Sequence, residues 1–131
     1  QGSEAFMNDR PIRASKVERM ENSLIAVGFS YDESARSRQW LDRIAHYQAN
    51  SDGVRRLGSS TADAVYVACG RFDAFVQSGL SAWDVAAASL IAQRAGACVS
   101  DFAGGDDYIF GRQFVATNPL IYKEIIDTLN D

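Results

Sequence analysis

From Leu24 to its C-terminal end the chain alternates short apolar runs with stretches of helical period, and this alternation constrains the fold more than any other feature. Residues 24–29 form a short apolar run closed by polar turn residues and read as a buried strand. Residues 34–49 place Trp40, Leu41, Ile44, Ala45 and Tyr47 at a helical period with a polar outer face. Residues 54–57 read as a strand, 58–61 as a turn that caps a helix over 62–69, and 72–76 as another strand. The spacing predicts a helix over 83–95, apolar on nearly all sides and ended by Gly96, so it is expected to be buried. Residues 98–102 and 113–116 read as strands around a glycine-rich loop at 104–107. Asn118-Pro119 opens a last helix over 120–129, with proline in the first turn. Ahead of this pattern, residues 7–11 carry a turn signal and 12–15 read as a short strand. Strands that feed helices that feed strands predict an α/β domain, with a mostly parallel or mixed sheet flanked by helices.

The 131 residues are 47% hydrophobic, enough for one domain with a true core. A net charge of −4 gives no broad pull on nucleic acid or on an anionic membrane, so a phosphate would have to be held locally. No stretch is long and apolar enough to span a bilayer, and the N-terminal residues lack the basic and apolar regions of a signal peptide. The expectation is a cytoplasmic protein without nucleic-acid or membrane partners. Cys69 and Cys98 each sit inside an apolar run and read as reduced, buried thiols, although a bridge is conceivable. His46 is the single histidine and lies in a polar helical stretch, which argues against Ser/His/Asp and Cys/His chemistry.

Ligands of open α/β sheets gather where strands end and helices begin, and two such junctions carry suggestive residues. At the first, Arg55-Arg56-Leu57-Gly58-Ser59-Ser60, Gly58 permits close backbone approach and the following amides open a helix. Taken alone, this stretch is better explained as a serine N-cap after a turn. The second is Gln77-Ser78-Gly79-Leu80-Ser81-Ala82-Trp83-Asp84. Asp84 falls in the first turn of an otherwise apolar helix, where a capping carboxylate is the plain explanation. Asp84 is the single charge between Asp73 and Arg94, however, and small residues follow it. A charge so placed needs a partner, and a hard cation is one. Arg71 and Asp73 could pair or face solvent, and Asp101, Asp106 and Asp107 read as a solvated acidic loop.

These junctions carry a family resemblance. Trp83-Asp84-Val85-Ala86-Ala87-Ala88 with Arg94-Ala95-Gly96 resembles the C-terminal signature of inositol monophosphatases, approximately W-D-x-A-A-G and then E-A-G-G. Arg56-Leu57-Gly58-Ser59-Ser60 and the run from Val67 to Asp73 resemble the segment before it. Ala5-Phe6-Met7-Asn8 with Pro11-Ile12 resembles the family's G-A-F-x-N-x-x-P-I stretch, and Val115-Ala116-Thr117-Asn118-Pro119 its last strand and helix start. The resemblance runs in order over nearly the whole chain. It implies that residues 1–131 form the C-terminal α/β domain of the family's sandwich fold, with the N-terminal metal-binding half absent.

The family uses magnesium to activate water and to stabilise the phosphate leaving a sugar or polyol. By resemblance Asp84 is a magnesium ligand and catalytic residue that also touches substrate hydroxyls. Gly58, Ser59, Ser60, Gln77 and Arg55 would line the substrate pocket. The family's other ligands, a glutamate and a D-P-x-D-G-type loop, belong to the first half and have no counterpart here. One aspartate cannot hold two magnesium ions, so the chain alone is expected to be inactive, with an apolar face awaiting a homodimer partner or the missing half. Gln77 replaces a glutamate of the family pattern, which keeps a carbonyl acceptor and loses the charge; Ala88 and Ala97 replace glycines. Two functions follow. One is a magnesium-dependent phosphomonoesterase acting on inositol monophosphate or a related sugar phosphate. The other is a non-catalytic polyol-binding or protein-interaction module built on the same fold.

Overall fold

The computed structural model describes residues 4–29 and 37–130. Two short antiparallel strands come first, β1 (Ala5–Met7) and β2 (Arg10–Ile12). Asn8 and Asp9 join them with φ of 51° and 66°, the left-handed pair of a tight hairpin turn that Asn and Asp tolerate. The turn signal at 7–11 is thus the hairpin. The strand expected over 12–15 is corrected, since Ile12 ends β2. Beyond it the chain is pinned by other means: the Ala14 amide donates to the Ala95 carbonyl at 3.0 Å.

The main sheet is built from β3 (Leu24–Val27), β4 (Gly53–Arg55), β5 (Ala74–Ser78), β6 (Cys98–Ser100) and β7 (Gln113–Thr117). The helices are α1 (Ser37–Asn50), α2 (Ser60–Ala68), α3 (Ala82–Arg94) and α4 (Tyr122–Leu129). The strand order is β4-β3-β5-β7-β6. β3 pairs in parallel with β4 and β5, while β7 is antiparallel to both β5 and β6. The sheet is therefore mixed, with β7 alone reversed. The connections explain the reversal. β4–β5 and β5–β6 are joined through helices, which return the chain in the same direction, whereas the β6–β7 loop carries no helix and delivers β7 antiparallel. Asp101 is not merely solvated: its carboxylate accepts from the amides of Ala103, Gly105 and Asp107 and shapes that loop.

Both faces of the sheet are covered, which is why its strands read as nearly continuous apolar runs. Alternate residues divide between two cores. Ala26, Phe75, Phe114 and Ala116 pack with Ala64, Val67, Val85, Ala88 and Ala92 of α2 and α3. Ile25, Val27, Ala74, Val76 and Val115 pack with Trp40 and Tyr47 of α1 and with Ile125 and Leu129 of α4. Helices α1 and α4 are clasped directly, with Tyr47 Oη 2.8 Å from Thr128 Oγ1 and Arg43 donating to the Leu129 carbonyl at 2.9 Å.

Three helix expectations are refined. In α1, Leu41 and Ala45 point outward, so the buried stripe is narrower than its apolar composition. The positions expected at 34–36 lie outside the described residues. The expectation of a fully buried α3 is overturned: Val85, Ala88, Ser89 and Ala92 are buried, but Trp83 is 83% exposed and Leu90 is 52% exposed. Small residues let one side of α3 press on α2, while Trp83 and Leu90 stand at exposed positions. The last helix begins at Tyr122 rather than 120, because Asn118 Oδ1 accepts from the Leu120 and Ile121 amides and holds a turn there.

The lower end of the sheet is locked by Asp73, which does not face solvent. It is 7% exposed, and its carboxylate accepts from the Leu24 amide at 2.7 Å and from the Ser15 hydroxyl. Asn118 completes the clasp by donating to Ser15 Oγ and to the Val17 carbonyl. β3, β5, β7 and the 13–17 arm are joined at one point. Asp73→Ala leaves these donors unpaired and is expected to lower the unfolding free energy by about 2–4 kcal/mol, whereas Asp106→Ala at an exposed position changes it by less than about 0.5 kcal/mol. Urea denaturation of the two variants checks the contrast.

Candidate functional site

At the C-terminal ends of β3, β4 and β5 the chain opens a cavity of about 290 Å³. Its lining includes Gly28, Arg56, Gly58, Ser59, Ser60, Asp63, Gln77 and Asp84. This is the edge of an α/β sheet at which ligands bind, because strand ends stop there and helix N-termini begin. Of the residues singled out from sequence, the fold brings Gly58, Ser59, Ser60, Gln77 and Asp84 to one cavity. Arg55 is not in that lining: it is exposed, and its guanidinium donates to the Val54 carbonyl at 3.0 Å. Its neighbour Arg56 takes the cavity side, with Cζ 5.5 Å from the centre of the Phe29 ring. β4 ends at Arg55, so consecutive arginines diverge as the strand gives way to the turn.

Gly58 adopts φ of +87°, the left-handed conformation that turns the chain into α2. Ser59 is the N-cap of α2, and its hydroxyl accepts from the Ala62 amide at 3.3 Å. The capping explanation of this stretch and its position in the cavity thus hold together. Capping engages the third helical amide and leaves the amides of Ser60 and Thr61 without an intrahelical acceptor, as in the first turn of any helix. The start of α3 faces the same cavity. Asp84 Oδ2 accepts from the Ser81 amide at 2.9 Å, closing the first turn, and the Thr61 hydroxyl donates to the Asp84 carbonyl at 3.0 Å, tying the two helix starts together.

Gln77 closes the side next to β3. It is 8% exposed, and its Nε2 makes a long contact of 3.5 Å to the Phe29 carbonyl. Gly28 makes room for it, since a Cβ on Gly28 would fall inside the Gln77 carboxamide. The Gly28 carbonyl is in turn held by Trp40 Nε1 at 2.9 Å.

Asp63 was not anticipated. It lies in the first turn of α2, lines the cavity and is 1% exposed, and its Oδ1 has no hydrogen-bond partner among the described residues. Burial pushes its carboxyl up to about 6, against the opposing pull of Arg56. The signal was present in the sequence, for Asp63 is an acid in the first turn of an apolar helix, as Asp84 is. Elsewhere the thiols are free and half-buried, burial raises that of Cys98, and His46 is exposed with Asn50 beside it, so none of these supplies an activated nucleophile.

Magnesium requires several hard oxygen donors in near-octahedral order. Asp84 presents a hard carboxylate at the cavity with one oxygen engaged by Ser81, which fits a single ligand position. Among the described residues no group of three or more His, Cys, Asp or Glu could hold a metal ion. The described residues therefore do not make a magnesium site by themselves. Among them no helix is long and apolar enough to cross a membrane.

A family model described as the inositol monophosphatase family matches residues 1–131. An inositol-1-monophosphatase of Mesorhizobium japonicum is 38% identical over 95% of this chain and 47% of its own length. The Nus factor SuhB of Pseudomonas aeruginosa is 35% identical over 98% of this chain and 48% of its own. The crystal structure of extragenic suppressor protein SuhB from Bartonella henselae superposes with a TM-score of 0.92 at 35% identity, covering 99% of this chain and 50% of that one. The inositol monophosphatase of Anabaena gives a TM-score of 0.88 at 32% identity, covering 94% and 49%. The chain spans about half the length of the curated relatives it matches.

Two expected outcomes follow from the site's geometry. Gly28→Ala drives a methyl group into the Gln77 carboxamide and lowers stability by about 1–3 kcal/mol; adding Gln77→Ala recovers part of that loss in a double-mutant cycle. Asp63 sets a pH dependence. Its folded carboxyl titrates near 6 against an ordinary 3.8, so the fold favours the protonated form. That stabilisation is present below about pH 4, is lost as the pH rises to about 6, and stays lost above it. Asp63→Asn matches the parent near pH 4 and exceeds it at pH 7 by up to about 3 kcal/mol. Thermal unfolding of both proteins across this range checks the slope.

Proposed function

The chain belongs to the inositol monophosphatase family, and on that premise we propose that it forms the substrate-side half of a magnesium-dependent phosphomonoesterase. The observation that carries the reading is the convergence of Gly58, Ser59, Ser60, Gln77 and Asp84, distant in sequence, on one cavity at the strand ends. The substrate class is a phosphorylated polyol or sugar, inositol monophosphate among them. The Ser60 and Thr61 amides at the α2 N-terminus donate to its oxygens. The serine hydroxyls and the Gln77 carboxamide supply further donors and acceptors. Arg56 adds the positive charge at the rim that an anionic ligand requires. Gln77 is neutral, so the cavity relies on hydrogen bonds at a position where the family pattern has a charge.

Asp84 is assigned as a metal ligand and catalytic residue. Its engaged Oδ2 fixes the carboxylate on α3 while the other oxygen remains for a cation. Magnesium, when bound, supplies water activation and neutralisation of the phosphate. The further ligands it needs would come from outside the described residues, as would the cover for Trp83 and Leu90, so the chain is proposed to work in association with the rest of a family-length protein or as a dimer. No nucleic-acid contact is included, in keeping with the net charge of −4.

The test is phosphate release from inositol 1-phosphate and a panel of sugar phosphates, with the chain alone and with a preceding family half, across a magnesium titration. The expected result is magnesium-dependent turnover only with both halves, reduced at least about 100-fold by Asp84→Asn. Absence of turnover even with both halves would sink the enzyme reading and favour the non-catalytic polyol-binding module, for which the uncharged Gln77 is the motivating residue.

A further inference from the structure

Asp63 is buried at the cavity and earns nothing there from the fold. A carboxyl oxygen sealed from water without a partner costs about 1–3 kcal/mol, more when ionised. Helix α2 does not require it: the N-cap bond is made by Ser59, and the residues that hold the helix to the core are Ala64, Val67 and Ala68. Arg56 lines the same cavity but closes no ion pair with it; among the described residues the ion pairs join other side chains. Three neighbouring groups of the lining are engaged by local structure: the Ser59 hydroxyl caps α2, Thr61 binds the Asp84 carbonyl, and one oxygen of Asp84 binds the Ser81 amide. Asp63 is therefore an acceptor built into the wall of the cavity with no donor among the described residues.

We propose that Asp63 is a specificity-determining residue of this cavity, its carboxyl accepting a hydrogen bond from a hydroxyl of the bound phosphorylated polyol. The inference rests on the phosphomonoesterase reading above and adds the group that distinguishes a polyol from other phosphate esters. The chemistry of the donor follows from charge. A phosphate seated against Asp63 would meet a second carboxylate at close range, whereas a neutral hydroxyl brings a proton and no repulsion. The sp³–sp² torsion of an aspartate is broad and roughly two-fold, so a half-turn about Cβ–Cγ exchanges its two oxygens and lets either meet the ligand. A residue that lowers stability in the empty protein and raises affinity for one ligand class is the pattern of a binding group rather than a structural one.

The experiment compares inositol 1-phosphate with p-nitrophenyl phosphate, which carries no hydroxyl, in the full-length protein with magnesium. Asp63→Ala, which removes the acceptor, is expected to reduce the preference for inositol 1-phosphate, taken as the ratio of kcat/KM values, by about 10-fold or more, mostly through KM, and Asp63→Asn, which keeps a carbonyl acceptor without the charge, reduces it by less. Both variants should unfold at higher temperature than the parent at pH 7 without ligand. A ratio unchanged by either substitution, while both esters are still turned over, overturns this inference and leaves the phosphomonoesterase reading standing. Variants that unfold below the parent also overturn it, since Asp63 would then be holding the fold. No turnover of either ester by the unaltered protein overturns both.

Discussion

The carboxylate of Asp73 ties the Leu24 amide at the start of β3 to the Ser15 hydroxyl on the arm that follows the hairpin, just ahead of β5. Asn118 joins the same point from the far end of β7. Strands are stiff over such short lengths, so fixing β3, β5 and β7 at one end fixes where Gly28 and Gln77 emerge at the other. The cavity owes its shape to a polar lock at the opposite end of the sheet. A buried charge is tolerated there because its oxygens are met by donors, the condition under which burial of an ion is affordable.

The contrast with Asp63 is instructive. Both carboxylates are buried; one is met by donors and organises the sheet, and the other has no donor for its Oδ1 among the described residues and lies in the wall of the cavity. The same physical cost serves a structural end in the first case. In the second we infer that it serves the binding of a ligand. The neighbouring Gly28 shows the complementary device, a residue kept small so that a polar side chain can lie across a strand end.

Much of the architecture was legible in the sequence because α/β folds write their period into it. The apolar runs of β3, β5 and β7 and the helical stretches appear where expected, with ends displaced by a few residues. The displacements have physical causes. Asp73 and Asn118 carry side-chain hydrogen bonds that no local propensity reports, and these draw the strand and helix ends away from the apolar boundaries. The overestimate of α3 burial came from composition: alanines satisfy a close helix contact and an exposed face equally well, so only the packing against α2 shows which side is covered. At the site, Gly58 and the two serines were legible from their turn-and-cap pattern. The choice between Arg55 and Arg56 was not, because it depends on which way each side chain leaves the end of β4.

By itself the sequence determined the class of fold, the residues able to cap and line a ligand cavity, and the family to which the chain belongs. These depend on short-range periodicity and on local backbone chemistry, which are present in the order of residues. Only the tertiary structure decided that β7 runs against its neighbours, that Arg56 rather than Arg55 faces the cavity, that Asp73 is a lock and that Asp63 is an acceptor without a donor. Each of those depends on which distant groups meet and whether water is excluded from between them. Burial and partnership are properties of the packed molecule, and an aspartate reads alike in a sequence whether its carboxylate ends with two hydrogen bonds, as Asp73 does, or is left like Asp63.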